Sequence, residues 1–65
     1  MKDYKIILEG KGNKVLVVWE RPKNSFYPNG KEYSVHTLTN NDELIWGHYF
    51  TDKRQAILYF KEVAY

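Results

Sequence analysis

Two histidines and two serines are the side chains of this sequence whose types suit metal binding or nucleophilic chemistry. His36 and His48 fall in neighbouring strand-like segments. A two-residue turn at Asn40-Asn41 pairs Tyr33 with His48 and sends the two imidazoles to opposite faces of a sheet. A shift of one residue brings them to one face instead. In either register two ligands are too few for a metal site, which normally has at least three protein ligands.

Nucleophilic and phosphate-binding chemistry also lack their usual sequence settings. Ser25 and Ser34 are not flanked by the glycines of a nucleophile elbow. Gly10 and Gly12 precede a strand-like segment, whereas a dinucleotide fingerprint precedes a helix. The carboxylates lie at predicted strand ends and turns, where solvated acids are usual. The sequence therefore predicts a protein that is not an enzyme and that has no metal site and no cofactor.

The chain length limits the number of domains and the size of the hydrophobic core. With 65 residues and no cysteine, we expect one domain spanning residues 1–65, without disulfides or thiolate zinc sites. So short a chain buries only about 60% of the surface that its unfolded form exposes, and association with another chain is one way to compensate. No secretory signal is recognisable, and the longest apolar run is Val15 to Trp19. We therefore expect a cytoplasmic protein without a membrane segment.

The hydrophobic pattern predicts an α+β fold of the order β-β-β-β-α. Four segments are rich in β-branched and aromatic residues and are bounded by turn residues. They are Tyr4–Glu9, Lys14–Glu20, Glu32–Thr39 and Glu43–Phe50. Apolar residues then recur at helical spacing from Asp52 to Ala64, with Thr51 as the predicted N-cap. The prediction is a four-stranded antiparallel sheet with one C-terminal amphipathic helix packed on one face.

The predicted strands are apolar on both faces, and this property bears most on function. Val15, Val17 and Trp19 alternate with Leu16 and Val18, whereas a half-exposed antiparallel strand alternates apolar with polar residues. One helix covers one face only. We therefore expect the second face to be covered by the 21–31 loop, by a second copy of the chain, or by a partner.

The same loop contains two aromatic residues between prolines, Phe26 and Tyr27. Two roles are open to them. They can fold back over the edge of the core, which we expect, or they can be presented to a partner. Aromatic residues make up 17% of the chain, and rigid aromatics are the usual anchors of protein interfaces.

Together these features predict a non-catalytic protein-binding module that uses an aromatic sheet face or forms a homodimer. The candidate partner-binding residues are Trp19, Tyr33, Trp46, His48, Phe26 and Tyr27. The alternative function is binding of single-stranded nucleic acid, with sheet aromatics stacking on bases and loop lysines contacting phosphates. The net charge of only +2 and the acids among the lysines favour the protein-binding hypothesis. No small-molecule substrate and no membrane are predicted as partners.

A resemblance adds a biological context. The stretch Trp46-Gly47-His48-Tyr49-Phe50, followed by a capped helix and preceded by Val17-Val18-Trp19-Glu20, resembles small uncharacterised proteins of phages and mobile elements of Gram-positive bacteria. That resemblance assigns no activity. It implies a small protein that acts by binding a host or phage protein, in some cases to inhibit a defence system.

Overall fold

The computed structural model describes residues 4–64, which form an antiparallel sheet followed by one helix. The elements are β1 (Tyr4–Glu9), β2 (Lys14–Glu20), β3 (Lys31–Leu38), β4 (Leu44–Phe50) and α1 (Lys53–Ala64). Strands adjacent in sequence are adjacent in the sheet, in the order β1-β2-β3-β4. The predicted α+β class and order of elements are confirmed. Residues 1–3 and 65 of the predicted domain lie outside the described residues.

The first hairpin has the predicted strand bounds and is fastened to the helix at its turn. A short 3-10 turn, Lys11–Asn13, joins β1 to β2, with Gly12 and Asn13 in the left-handed region. A Cβ on Gly10 would lie 2.5 Å from the Cβ of Ala64, closer than real side chains approach. The end of α1 therefore packs directly on the hairpin backbone.

The second hairpin corrects the predicted register. Tyr33 pairs with Phe50, and Val35 pairs with His48, so the predicted pairing of Tyr33 with His48 is wrong. The turn is longer than two residues: the Thr39 N–H donates to the Glu43 carbonyl at 2.9 Å. His36 and His48 nevertheless point to opposite faces, which is one of the two arrangements that the sequence left open, because the register differs by two residues and strand parity is retained.

The helix begins one residue later than predicted and is capped by a different side chain. The Asp52 carboxylate accepts a hydrogen bond from the Arg54 N–H at 3.3 Å, so Asp52 rather than Thr51 is the N-cap. A carboxylate at this position also meets the positive end of the helix dipole. No helix in residues 4–64 is long and apolar enough to span a membrane.

One hydrophobic cluster lies between α1 and the sheet. Ala56, Phe60 and Ala64 of the helix are buried against Leu16 of β2 and Val35 of β3. The residues that alternate with these in the strands point to the opposite side of the sheet, here called the far face. The far-face side chains of β2 and β3 include Val15, Val17, Trp19, Ser34 and His36.

Candidate functional site

The far face is buried within residues 4–64, although α1 packs on the other side of the sheet. Val17 and Ser34 are fully buried, and Val15 and His36 are almost so. Large rings of neighbouring strands cover them. Tyr4 packs on Trp19 with ring centroids 4.9 Å apart. The sheet's own aromatic side chains lie across the centre of this face. Two residues of the 21–31 loop reach its margin, because Arg21 lies over the Trp19 ring and Tyr27 contacts Glu32. Of the three predicted covers, the loop is therefore present in part.

A chain of hydrogen bonds runs beneath these rings. The Trp19 Nε1–H donates to Ser34 Oγ at 2.7 Å, and Ser34 Oγ lies 2.7 Å from His36 Nε2. Since an indole nitrogen can only donate, Ser34 accepts from Trp19 and has its own proton available for His36. With Nε2 as acceptor, the proton of a neutral His36 is on Nδ1.

The environment of His36 favours the neutral imidazole. Burial lowers the pKa of His36 below its ordinary value of 6.5, and a smaller opposing effect comes from the backbone of Ile45. Among the described residues Nδ1 has no hydrogen-bond partner of normal geometry, so the Ile45 contact is weak. Ser34 and His36 are close enough for a nucleophile and its base. Both are buried, however, and the pair is closed to a substrate.

Two of the predicted partner-binding residues belong instead to the helix side. Tyr33 packs against the core cluster under α1. His48 packs on Tyr59 of the helix, with ring centroids 4.7 Å apart. Trp19 lies on the far face, so the structure does not bring Trp19, Tyr33 and His48 together. His48 remains an exposed residue at the sheet margin.

Trp46 is the most unusual residue of the sheet. Val35 pairs with His48 and Thr37 pairs with Ile45, which leaves Trp46 and Gly47 together opposite His36 as a β-bulge. Trp46 has a φ of 55°, the left-handed conformation that glycine usually takes at the first position of such a bulge. Its side chain is 74% exposed, and its described ring contact is the Lys14 ammonium, 5.8 Å from the ring centroid.

Gly47 serves a different purpose from the one expected of a bulge glycine. Its own φ is not positive, so conformational freedom is not what the position requires. A Cβ on Gly47 would lie 2.5 Å from Cε1 of His36 and 2.9 Å from the Tyr49 ring. Gly47 therefore makes room for the His36 ring, which meets Tyr49 edge-on at a centroid distance of 5.4 Å. The bulge therefore includes Gly47, while Trp46 carries its left-handed backbone.

The exposed rings of β4 form the candidate site, here called the β4 edge and defined by Trp46, His48 and Tyr49. Tyr49 is 55% exposed and was not among the predicted partner-binding residues. A signal for it was present in the sequence, because the run from Leu44 to Phe50 contains no Asp, Glu, Lys or Arg. Edge strands are normally protected by charges. The lack of charge in this strand was therefore visible in the sequence, whereas the exposure of its rings was not.

The loop between β2 and β3 holds its two aromatic residues in different ways. Asn24 Oδ1 accepts hydrogen bonds from the N–H groups of Phe26 and Tyr27 at 2.8 and 3.0 Å. Tyr27 is half-buried, and its hydroxyl lies 3.3 Å from the Glu32 carboxylate. Phe26 is 76% exposed, so the expectation that both residues fold back over the core is wrong for Phe26.

Phe26 does not add to the β4 edge. Its loop leaves the sheet where Tyr33 pairs with Phe50, whereas the Trp46 bulge lies towards the opposite end of the strands. The structure therefore separates the two most exposed aromatic residues among those predicted.

The charges near this loop are largely paired. Arg21 contacts the Glu32 carboxylate at 2.8 Å, and Lys31 contacts Glu20. The hydrogen bond to Glu32 raises the pKa of Arg21, so its guanidinium stays charged. Its charged group also lies 5.1 Å from the Trp19 ring centroid. Within residues 4–64 no group of three or more His, Cys, Asp or Glu side chains is placed to hold a metal ion.

Comparison with known proteins assigns no function to this geometry. No family model matches the chain, and no curated protein or solved structure matches it significantly. The phage and mobile-element resemblance therefore stays a prediction.

Proposed function

We propose that this chain is a non-catalytic protein-binding module that contacts its partner through the β4 edge. The proposal depends mainly on the backbone conformation and the exposure of Trp46. A bulky residue with positive φ is a backbone outlier, and such strain costs about 1–3 kcal/mol. Among the described residues, the exposed Trp46 ring has one cation–π contact, with Lys14, worth about 0.5–1 kcal/mol at an exposed site.

That cost is explained if Trp46 makes its main contacts with another molecule. Strained residues are frequent at ligand and partner sites. Tryptophan and tyrosine dominate the affinity of protein interfaces because each buries a large rigid surface. Trp46 and Tyr49 supply one of each on the same strand.

The chemistry of the strand favours a protein over a nucleic acid as partner. The β4 edge contributes no permanent charge, and depletion of charge is the mark of an interface core. Nucleic-acid binding instead requires cations that contact phosphates. Two of the loop cations, Arg21 and Lys31, are already paired with carboxylates.

The partner class remains a protein or a second copy of the chain. In the context that the sequence resemblance implies, the module is encoded by a phage or mobile element and acts on a host or defence protein. Blocking that protein is the role such a small binding module fits best.

The experiment compares two charge insertions, one on each edge of the sheet. Tyr49→Lys places a cation on the β4 edge and removes the ring that meets His36, so its free energy of unfolding is measured first. Ile6→Lys is the control on β1, where Ile6 is 37% exposed. Each variant and the original chain serve as bait in a Gram-positive bacterial lysate, with quantitative mass spectrometry. Sedimentation over a concentration series measures self-association of the same three proteins.

We expect the original chain and Ile6→Lys to share a captured protein, or a self-associated state, that Tyr49→Lys loses. Identical captured sets and identical masses for all three proteins contradict the proposal. Titration with single-stranded RNA and DNA at two salt concentrations completes the test. Salt-sensitive binding that Tyr49→Lys leaves unchanged would support the nucleic-acid alternative instead.

A further inference from the structure

The outward side of α1 carries a second surface that the β4 edge does not explain. Residues three and four apart on a helix share a face, and this spacing unites three cations with two apolar residues. The set, here called the basic stripe, consists of Lys53, Arg54, Ile57, Leu58 and Lys61. Together with Asp52 these residues line a shallow groove of about 610 Å³.

The apolar part of the basic stripe is open to solvent. Leu58 is 56% exposed, and Ile57 is half-buried at the margin of the core cluster. Leu58 therefore continues the apolar surface of the core outward into the groove. A side chain from another molecule that enters here contacts both residues.

Within residues 4–64, the three cations of the basic stripe form no ion pair with an acidic side chain. Both ion pairs found in residues 4–64 lie elsewhere, joining Arg21 to Glu32 and Lys31 to Glu20. Asp52 is the one carboxylate among the residues that line the groove, and it already accepts the hydrogen bond that caps the helix. The groove is therefore positive around an apolar floor.

The basic stripe and the β4 edge lie on different flanks of the helix. Tyr59 contacts the rings of His48 and Phe50, which fixes the flank of α1 that faces β4. At about 100° per residue, Ile57 and Lys61 lie on the other flank. A partner seated on the basic stripe therefore leaves the β4 edge free.

We propose that the basic stripe binds an acidic segment of a partner protein, which inserts an apolar side chain beside Leu58. The cations supply electrostatic complementarity for carboxylates on such a segment. Leu58 and Ile57 supply the apolar contact that fixes the position of the bound segment along the helix. The chain then carries two separate binding surfaces, and it can bring two proteins together.

Peptide titration followed by NMR tests this assignment on the intact chain. The probe is a short peptide of glutamates with two leucines, and the matched probe has glutamine in place of every glutamate. We expect the acidic peptide to shift the amide signals of α1 while those of β4 stay in place. The double variant Arg54→Glu/Lys61→Glu is expected to weaken binding at least about tenfold, since each reversal replaces an attraction with a repulsion.

Three controls make the outcome decisive. Lys23→Glu reverses one charge in the β2–β3 loop, outside the residues that line the groove, and is expected to leave the affinity within about twofold. Leu58→Ser should weaken binding while retaining its salt dependence. Tyr49→Lys should not affect it, which separates this proposal from the one for the β4 edge.

Several results would overturn the proposal. They are equal binding of the glutamine peptide, an affinity that survives the double charge reversal, and absence of acidic-peptide binding at low salt. Vesicles of phosphatidylserine and phosphatidylcholine test the other anionic surface. Binding to these vesicles without binding to the acidic peptide would assign the basic stripe to a membrane surface and contradict a protein partner.

Discussion

The two edge strands of the sheet, β1 and β4, differ in how far their side chains protect the open edge from pairing with other chains. β1 carries exposed charges near both ends, Lys5 and Glu9, and a bulge near its middle. Such charges keep an open edge from pairing with other chains. β4 also has a bulge, but between Leu44 and Phe50 it has no charged residue, and the rings of Trp46 and Tyr49 are exposed.

This difference indicates which edge is available for binding. At β1 the hairpin backbone is in contact with the end of α1 through Gly10. That side of the molecule is therefore occupied by a contact within the chain that stabilises the fold. At β4 the conformation of Trp46 costs free energy and exposes the ring. The comparison predicts that changes on the β1 side affect mainly stability, whereas changes on the outside of β4 affect mainly binding.

The largest loss of stability is expected from Gly10→Ala. The new Cβ would meet the Ala64 Cβ at 2.5 Å and the Ala64 carbonyl at 2.9 Å, so the helix end must move. Overpacking of this kind costs about 3 kcal/mol, measured as the free energy of unfolding in urea. Gly12→Ala is the control, because Gly12 has a positive φ but nothing within 4 Å. Equal costs for the two variants would contradict a tight contact at Gly10.

A smaller loss is expected from Gly47→Ala on the β4 side. Its Cβ would meet the His36 ring at 2.5 Å, and a ring can rotate away more easily than backbone. We expect about 2 kcal/mol, together with changed NMR signals of His36 and Tyr49. A variant as stable as the original chain, with the His36 signals unchanged, would show that Gly47 is not needed for space.

A pH dependence follows from His36 beneath the far face. Because burial lowers its pKa below 6.5, the unfolded chain binds more protons than the folded chain as pH falls through and below 6.5. The free energy of unfolding should therefore be highest above this pH and decrease below it. NMR titration of the His36 ring in the folded protein should give a midpoint below 6.5. A midpoint at or above the ordinary value would contradict the burial of a neutral imidazole.

The sequence predicted much of this architecture because local signals agree with one another. The alternation in β2 and the helical spacing of Ala56, Phe60 and Ala64 define elements that the structure contains. The second hairpin was harder. The Thr39 hydroxyl accepts hydrogen bonds from the Asn41 and Glu43 N–H groups, which stabilises a longer turn than Asn40-Asn41 suggests.

The sequence predicted the candidate site only in part, because the backbone conformation of Trp46 and the packing of the aromatic rings have no local sequence signal. Left-handed backbone is normally signalled by glycine, but here Trp46 and Asp42 adopt it, and the adjacent glycine provides space instead. The covering of the far face depends on how Tyr4, Trp19 and Tyr49 lie across smaller neighbours. Residue types do not reveal that arrangement before the register is known.

The most direct test of the account is Trp46→Gly, with stability and binding measured on the same protein. Glycine adopts the left-handed conformation without strain, so we expect the free energy of unfolding to stay within about 1 kcal/mol of the original value or to rise. Capture of the partner, or self-association, should be lost. A variant that is clearly destabilised, or that binds as well as the original chain, would contradict the claim that Trp46 is held out of the fold to contact a partner.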